Sequence, residues 1–201
     1  MNTRTLLVAT ANAHKTQEIQ AMLGDGWKVE DLRDYAHLPS PEETGETFEA
    51  NARLKAEAAS TALPGHLVLA DDSGLEVDAL SKAPGVRSAR YAGPDATDAD
   101  NRVHLKNNLS NVPQDQDGGW AARFRCTMAL ARAGETVAVF SGAVEGKILP
   151  QEQGAGGFGY DALFVPAGFT DSFGVLSAEV KNQLSHRARA LEQARTFLDA
   201  V

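Results

Sequence analysis

Apolar positions along the chain change their period several times, and those changes mark out the elements. Thr5–Thr10 is a short apolar run, the pattern of a buried strand. Asn12 then stands as a helix cap, Ile19, Met22 and Leu23 give the following segment one apolar face, and Gly24 stops it. Thr44–Leu63, alanine-rich after Thr47, reads as a second helical region that Pro64-Gly65 ends. Leu67–Ala70 reads as another short strand, and Asp98–Leu109 as a helix. Between Ala121 and Ala131 the period falls to two: Phe124, Cys126, Met128 and Leu130 alternate with Arg123, Arg125 and Thr127, which predicts a half-buried strand. Gly134 marks a turn, Thr136–Val144 runs back, and the two predict a hairpin. Ser177 opens a short helical piece. Ser185 opens the last helix, with Ala188, Leu191, Ala194 and Leu198 on one stripe. Strands alternating with helices, followed by a hairpin, predict a mixed α/β sheet.

Composition narrows the classes. A chain of 201 residues with 43% hydrophobic and 23% charged residues has the make-up of one folded domain. No apolar run approaches the ~18 residues of a membrane span. Met1-Asn2-Thr3-Arg4 leads into a short apolar run without the core of a signal peptide. Cys126 is the only cysteine, which excludes an internal disulfide and points to a reducing cytoplasmic setting. The net charge of -8 argues against nonspecific duplex nucleic-acid binding. It leaves room for a small anion held by a locally basic pocket or bridged by a divalent cation.

Four stretches could carry chemistry. Leu67–Ala70 runs straight into Asp71-Asp72-Ser73-Gly74. At the end of a strand one carboxylate could hold Mg²⁺ or activate water, or the pair could simply close the strand as an Asx-turn. Thr10-Ala11-Asn12-Ala13-His14-Lys15 joins a strand to a helix N-terminus and can cradle phosphate, though it lacks the Walker A glycines and could be an ordinary cap. Gly154–Asp161 has four glycines in six positions and two aromatics, either a base-stacking loop or a turn whose Phe158 and Tyr160 join the core. Lys181–Arg189 places His186 and Arg187 in the first turn of the last helix. Cations there oppose the helix dipole, so they read as reaching an anion or carbonyl, or else as a solvated basic end.

Together these stretches resemble the inosine triphosphate pyrophosphatase family. The matching segments, in order, are Ala9–Lys15, Glu42–Ala52, Ala70–Leu75, Pro84–Gly93, Gly156–Asp161 and Ser185–Arg187. The resemblance implies one two-lobed domain over 1–201, α/β, built around a long mixed β-sheet with helices on its faces and the nucleotide in the central cleft. It implies a Mg²⁺-dependent homodimer that converts ITP, dITP or XTP to the monophosphate and pyrophosphate, with no membrane or nucleic-acid partner. By matched position, Thr10, Ala11, Asn12, Ala13, His14 and Lys15 would bind the triphosphate. Asp72 would be the general base and, with Glu43, a metal carboxylate, and Ser73 a substrate contact. Phe158, Gly159, Tyr160, Asp161, Lys181, His186 and Arg187 would hold base and sugar, with His186 and Arg187 donating to the 6-oxygen. The family often has glycine where this chain has Ala11 and His14, so the same loop path requires that neither residue take a positive φ.

Overall fold

The computed structural model describes residues 4–35, 37–38 and 41–200, so the N-terminal reading at Met1–Thr3 lies outside the described residues. Six strands form a mixed sheet in the order β2-β1-β3-β4-β5-β6. The chain divides into two compact units. The first comprises Met1–Asp72, Cys126–Gly142 and Arg187–Val201, and the second Ser73–Arg125 and Ala143–His186.

In the first unit, β1 (Arg4–Val8) pairs in parallel with β2 (Trp27–Asp31) on one side and with β3 (Val68–Val77) on the other. Successive strand residues face opposite ways, and both faces are covered. Leu6, Val8, Leu69, Cys126, Met128 and Leu130 pack with α1 (Ala13–Leu23) and α5 (His186–Ala200). Leu7, Ala9, Val68, Ala70, Ala129 and Ala131 pack with α2 (Phe48–Ala62), which presents Ala52, Ala56 and Ala59. These small side chains on both partners suit close seating of a helix on a sheet. Asn12 caps α1 and Gly24 ends it, as its sequence predicts.

Two boundaries and two burial patterns differ from expectation. Helix α2 begins at Phe48, because Thr47 accepts the Ala50 amide and so caps it there, not at Thr44. Strand β3 does not stop at Ala70. It continues through Asp71, Asp72, Ser73 and Gly74 to Val77, so there is no Asx-turn. In β4 (Trp120–Arg132) the alternation of buried and exposed residues holds only up to Cys126. From there to Ala131 every residue is buried, because helices cover both faces. The buried stripe of α5 is Arg187, Ala190, Leu191, Ala194 and Leu198, and Ala188 is only half-buried.

The hairpin forms, with longer strands than its sequence predicts. β4 turns through Ala133 and Gly134, both at positive φ, into β5 (Glu135–Ile148). In the second unit β5 pairs antiparallel with β6 (Phe164–Pro166). That unit's core joins Leu75, Val77, Phe124, Ile148 and Phe164 to Leu105 and Leu109 of α3 (Asp98–Leu109). A capping box of Thr97 and Asp100 starts α3, and Ser177 caps the short α4 (Ala178–Leu184).

Gly146 is where β5 accepts β6: a Cβ there would sit 2.2 Å from the Val165 carbonyl oxygen and 2.6 Å from Phe164 Cζ. Gly146→Ala should therefore destabilise the protein by about 1–3 kcal/mol, the usual cost of overpacking, read as a lowered denaturant midpoint with an unchanged m-value.

Candidate active site

Because β3 runs on through the acidic pair, its two carboxylates are turned to opposite faces and meet different partners. Asp71 is 1% exposed and Asp72 6%. On the face of Asp71, Arg187 Nε lies 3.1 Å from Oδ2, Lys15 forms a second ion pair, and the Cys126 thiol donates at 3.2 Å. Arg187 Nη1 also meets Glu18 at 2.5 Å. Burial alone would raise the pKa of Asp71, but Arg187 and Lys15 hold it well below the usual carboxylate range. Burial and the Asp71 charge push the Cys126 thiol well up, so it stays a protonated donor. The cations in the first turns of α1 and α5 thus have their anion: it is Asp71.

On the other face, Lys55 Nζ lies 2.8 Å from Asp72 Oδ1 and 3.0 Å from Glu43 Oε1, and it donates to the Asp71 carbonyl at 2.9 Å. Asn51, one helical turn before Lys55, donates to Asp72 at 3.4 Å and accepts the Gly45 amide at 2.8 Å, which ties the Glu43 segment to α2. A Cβ on Gly45 would fall 2.6 Å from that same Asn51 oxygen. The pKa of Asp72 is raised, by burial first, with the Glu43 charge adding to it and Lys55 opposing. Two neighbouring carboxylates are therefore driven apart, one a permanent anion and the other with increased proton affinity, which is the separation acid–base chemistry uses.

Asp72 and Glu43 converge on one ammonium, and the charge of one hinders ionisation of the other. A divalent cation relieves that repulsion, and Mg²⁺ characteristically takes one or two carboxylates together with substrate phosphates and water. Among the described residues no group of three or more His, Cys, Asp or Glu side chains forms a protein-only metal cage. The pair fits the shared mode of binding.

The first loop is closed upon itself. Asn12 Oδ1 accepts the amides of His14 at 2.9 Å and Lys15 at 3.4 Å, and the Asn12 amide donates to Thr10 Oγ1 at 3.1 Å. Those three amides are taken up by the cap. Ala11, Ala13 and His14 complete the loop, with Ala11 and the His14 side chain at the surface. Neither Ala11 nor His14 has a positive φ, so replacing glycine there brings no strain.

In the second unit the glycine-rich loop is organised by Asp161. Its Oδ2 accepts the Phe158 amide at 2.8 Å and the Lys181 ammonium at 2.6 Å. A Cβ on Gly157, whose φ is +71°, would meet that oxygen at 2.1 Å. Lys181 is buried with its Nζ 4.6 Å above the Phe158 ring. Tyr160 belongs to the core, where its hydroxyl donates to the Ser88 carbonyl at 2.9 Å, whereas Phe158 is half-buried. His186 stacks on Phe124 at 4.8 Å and 15°. His186 and Arg187 therefore do not share a target, since Arg187 turns to Asp71. Ser73, half-buried, follows Asp72 on β3, and Gly159 is held by α3. Lys55 and Glu18 lie outside every motif segment and Asn51 inside one without an assigned role, although the Asn51/Lys55 spacing of one helical turn is a readable signal.

A model of the Ham1 family matches residues 6–197. The dITP/XTP pyrophosphatase of Exiguobacterium sibiricum is 48% identical over 195 residues, 96% of either chain. That of Streptococcus pyogenes is 46% identical over 190 residues, 94% of this chain, which spans 57% of that longer relative. Among solved structures, a HAM1 protein from Coxiella burnetii superposes with TM-score 0.85 at 37% identity, over 98% of this chain and 100% of the other. A nucleoside-triphosphatase / dITP/XTP pyrophosphatase from Mycobacterium abscessus gives 0.71 at 39% identity, over 94% and 98%.

The two faces of β3 predict unequal costs. Asp71→Asn strips Arg187, itself 1% exposed, of its most buried anion and should cost about 3–5 kcal/mol. Asp72→Asn leaves Lys55 with Glu43 and should cost far less. Paired urea titrations check the order.

Proposed function

We propose that this chain, which belongs to the Ham1 family, hydrolyses the triphosphates of unconventional purines, dITP, ITP and XTP, to the monophosphate and pyrophosphate. The observation that carries this reading is geometric: Asp72 and Glu43 converge on Lys55 on one face of β3, while Asp71 is paired separately with Lys15 and Arg187 on the other. The names of its close relatives, dITP/XTP pyrophosphatase, support the substrate class.

Phosphoryl transfer asks a protein for positioning and charge stabilisation, with little covalent work. In this reading Asp72 orients a water and takes its proton as the oxygen attacks the α-phosphorus, and pyrophosphate departs. Its raised proton affinity suits it to that role. Lys55 holds Asp72 and Glu43 in place. Mg²⁺, carried by Asp72 and Glu43 with the substrate's phosphates, would supply charge neutralisation at the triphosphate. Lys15 and the Thr10–His14 turn hold the phosphates. Arg187, already engaged by Asp71 and Glu18, acts through Asp71. Phe158, Lys181 and His186 hold base and sugar, supported by Asp161, with His186 the donor to the 6-oxygen that hypoxanthine and xanthine share and adenine lacks. The resemblance further implies a homodimer. A cytoplasmic location without nucleic-acid or membrane partners is supported by the net charge and by a lone, buried cysteine. Among the described residues no helix is long and apolar enough to cross a membrane.

A panel of nucleoside triphosphates with pyrophosphate detection, with and without Mg²⁺, tests this directly. Release from dITP and XTP that EDTA abolishes is expected, and binding of either without release would replace the enzyme by a nucleotide sensor. Asp72→Asn should lower kcat by about 10²–10⁴-fold, the share of a general base, while nucleotide binding survives. His186→Ala should erode the preference for dITP over dATP by about tenfold or more, as expected when a hydrogen-bonding specificity contact is lost.

A further inference from the structure

Three charged residues of α3 stand one helical turn apart at Asp98, Arg102 and Lys106, and so line one face of that helix. All three grip the same loop. The Gly159 amide donates to Asp98 Oδ2 at 2.7 Å, and the Gly159 carbonyl accepts from Arg102 Nη1 at 2.9 Å. Arg102 Nε lies 3.1 Å from Glu152 Oε2, and Lys106 Nζ 2.9 Å from Glu152 Oε1. The glycine-rich segment is thus fastened at Glu152 and at Gly159, and at the latter through both of the residue's own backbone groups.

That double hold matters because of where it falls. Phe158 sits between Gly157 at φ +71° and Gly159 at φ +60°. Glycine has the widest backbone freedom of any residue, so two of them flanking an aromatic leave its ring poorly placed unless the peptides are fixed from outside. Asp161 fixes the N-terminal side through the Phe158 amide, and α3 fixes the C-terminal side through Gly159. Core packing cannot do this, since glycine offers no side chain to pack.

We propose that Asp98 and Arg102 are positioning residues for recognition of the purine base: they hold the Gly159 peptides and so set the Phe158 ring before substrate arrives, which lowers the ordering cost of binding. This rests on the reading that Phe158 contacts the base.

Two variant pairs test it. Asp98→Ala removes the acceptor for Gly159. Asp98→Asn keeps an acceptor but loses the same negative charge from the first turn of α3, so the two match in their helix-dipole effect and differ only at the loop. Arg102→Ala and Arg102→Lys form the second pair. The full-length variants are assayed on dITP, with inorganic tripolyphosphate as a competitive inhibitor lacking a base. Asp98→Ala and Arg102→Ala should raise KM for dITP about tenfold, the size of one lost charge-assisted hydrogen bond, with kcat changed less than about threefold. The tripolyphosphate inhibition constant should stay put, Asp98→Asn should be close to the parent, and Arg102→Lys should recover part of the loss. An unchanged KM, equal effects of Asp98→Ala and Asp98→Asn, or a parallel shift in tripolyphosphate inhibition would each overturn the inference. If Arg102→Ala fails to fold, the Asp98 pair decides alone. A parent protein that releases no pyrophosphate from dITP overturns the functional reading and this inference with it, whereas an active parent with unaffected variants overturns the inference only.

Discussion

Two adjacent carboxylates buried on an unbroken strand are the constraint around which the first unit is arranged. Strand geometry turns their side chains apart, so each has its own nearest cations, although Lys15 and Lys55 act electrostatically on both. An unpaired buried carboxylate costs several kcal/mol, and each therefore needs its own cations. Those cations must come from the helices that cover the two faces. α1 delivers Lys15 and α5 delivers Arg187 to one side, and α2 delivers Lys55 to the other. The placement runs against local preference, since Lys15 and Arg187 occupy helix first turns, where the dipole disfavours positive charge by a few tenths to about 1 kcal/mol. The attraction of Asp71 offsets that cost.

The second unit solves a different problem with similar means. Its glycine-rich loop has little intrinsic order and is held from several sides: Asp161 with Lys181 from within, Asp98, Arg102 and Lys106 from α3, and the Gly174 carbonyl on the Gly156 amide. Tyr160 anchors it by burying a ring and satisfying its hydroxyl on Ser88. A loop held mainly by hydrogen bonds to its backbone keeps the glycines that allow close approach of a ligand, and still avoids the full entropic cost of freezing on binding.

Much of this was legible in the chain, and the parts that were not share a cause. Period and caps located α1, α3, α4 and the hairpin, because those signals act within a few residues. The end of β3 was misjudged for the opposite reason: a run of Asp-Asp-Ser-Gly has the local chemistry of a turn, and only Lys15, Lys55 and Arg187, distant in sequence, make it tolerable inside a strand. The half-buried pattern of β4 failed beyond Cys126 because alanines at 129 and 131 do not announce whether a helix covers them. Among site residues, the Asp pair and the basic start of α5 stood out as violations of local preference. Lys55 and Asn51 did not, since both are unremarkable on a helix and acquire meaning only through Asp72. For Arg187, sequence shows a cation opposing the helix dipole without showing which anions meet it, and in the structure Asp71 and Glu18 do.

The two faces of β3 hold carboxylates of different character, Asp71 with a lowered and Asp72 with a raised proton affinity. Were Asp71 and Asp72 on one face they would titrate as a coupled pair, each blurring the other's charge state. On opposite faces they differ in the number and distance of their cations: Asp71 faces two, within a fully buried shell, and Asp72 faces one that it shares with Glu43. The first arrangement fixes a charge. The second leaves a carboxylate whose ionisation depends on what else enters its surroundings. Covalent adjacency then does what no pair of separate loops could, because the inert charge and the responsive one are held one residue apart on a strand that neither can bend.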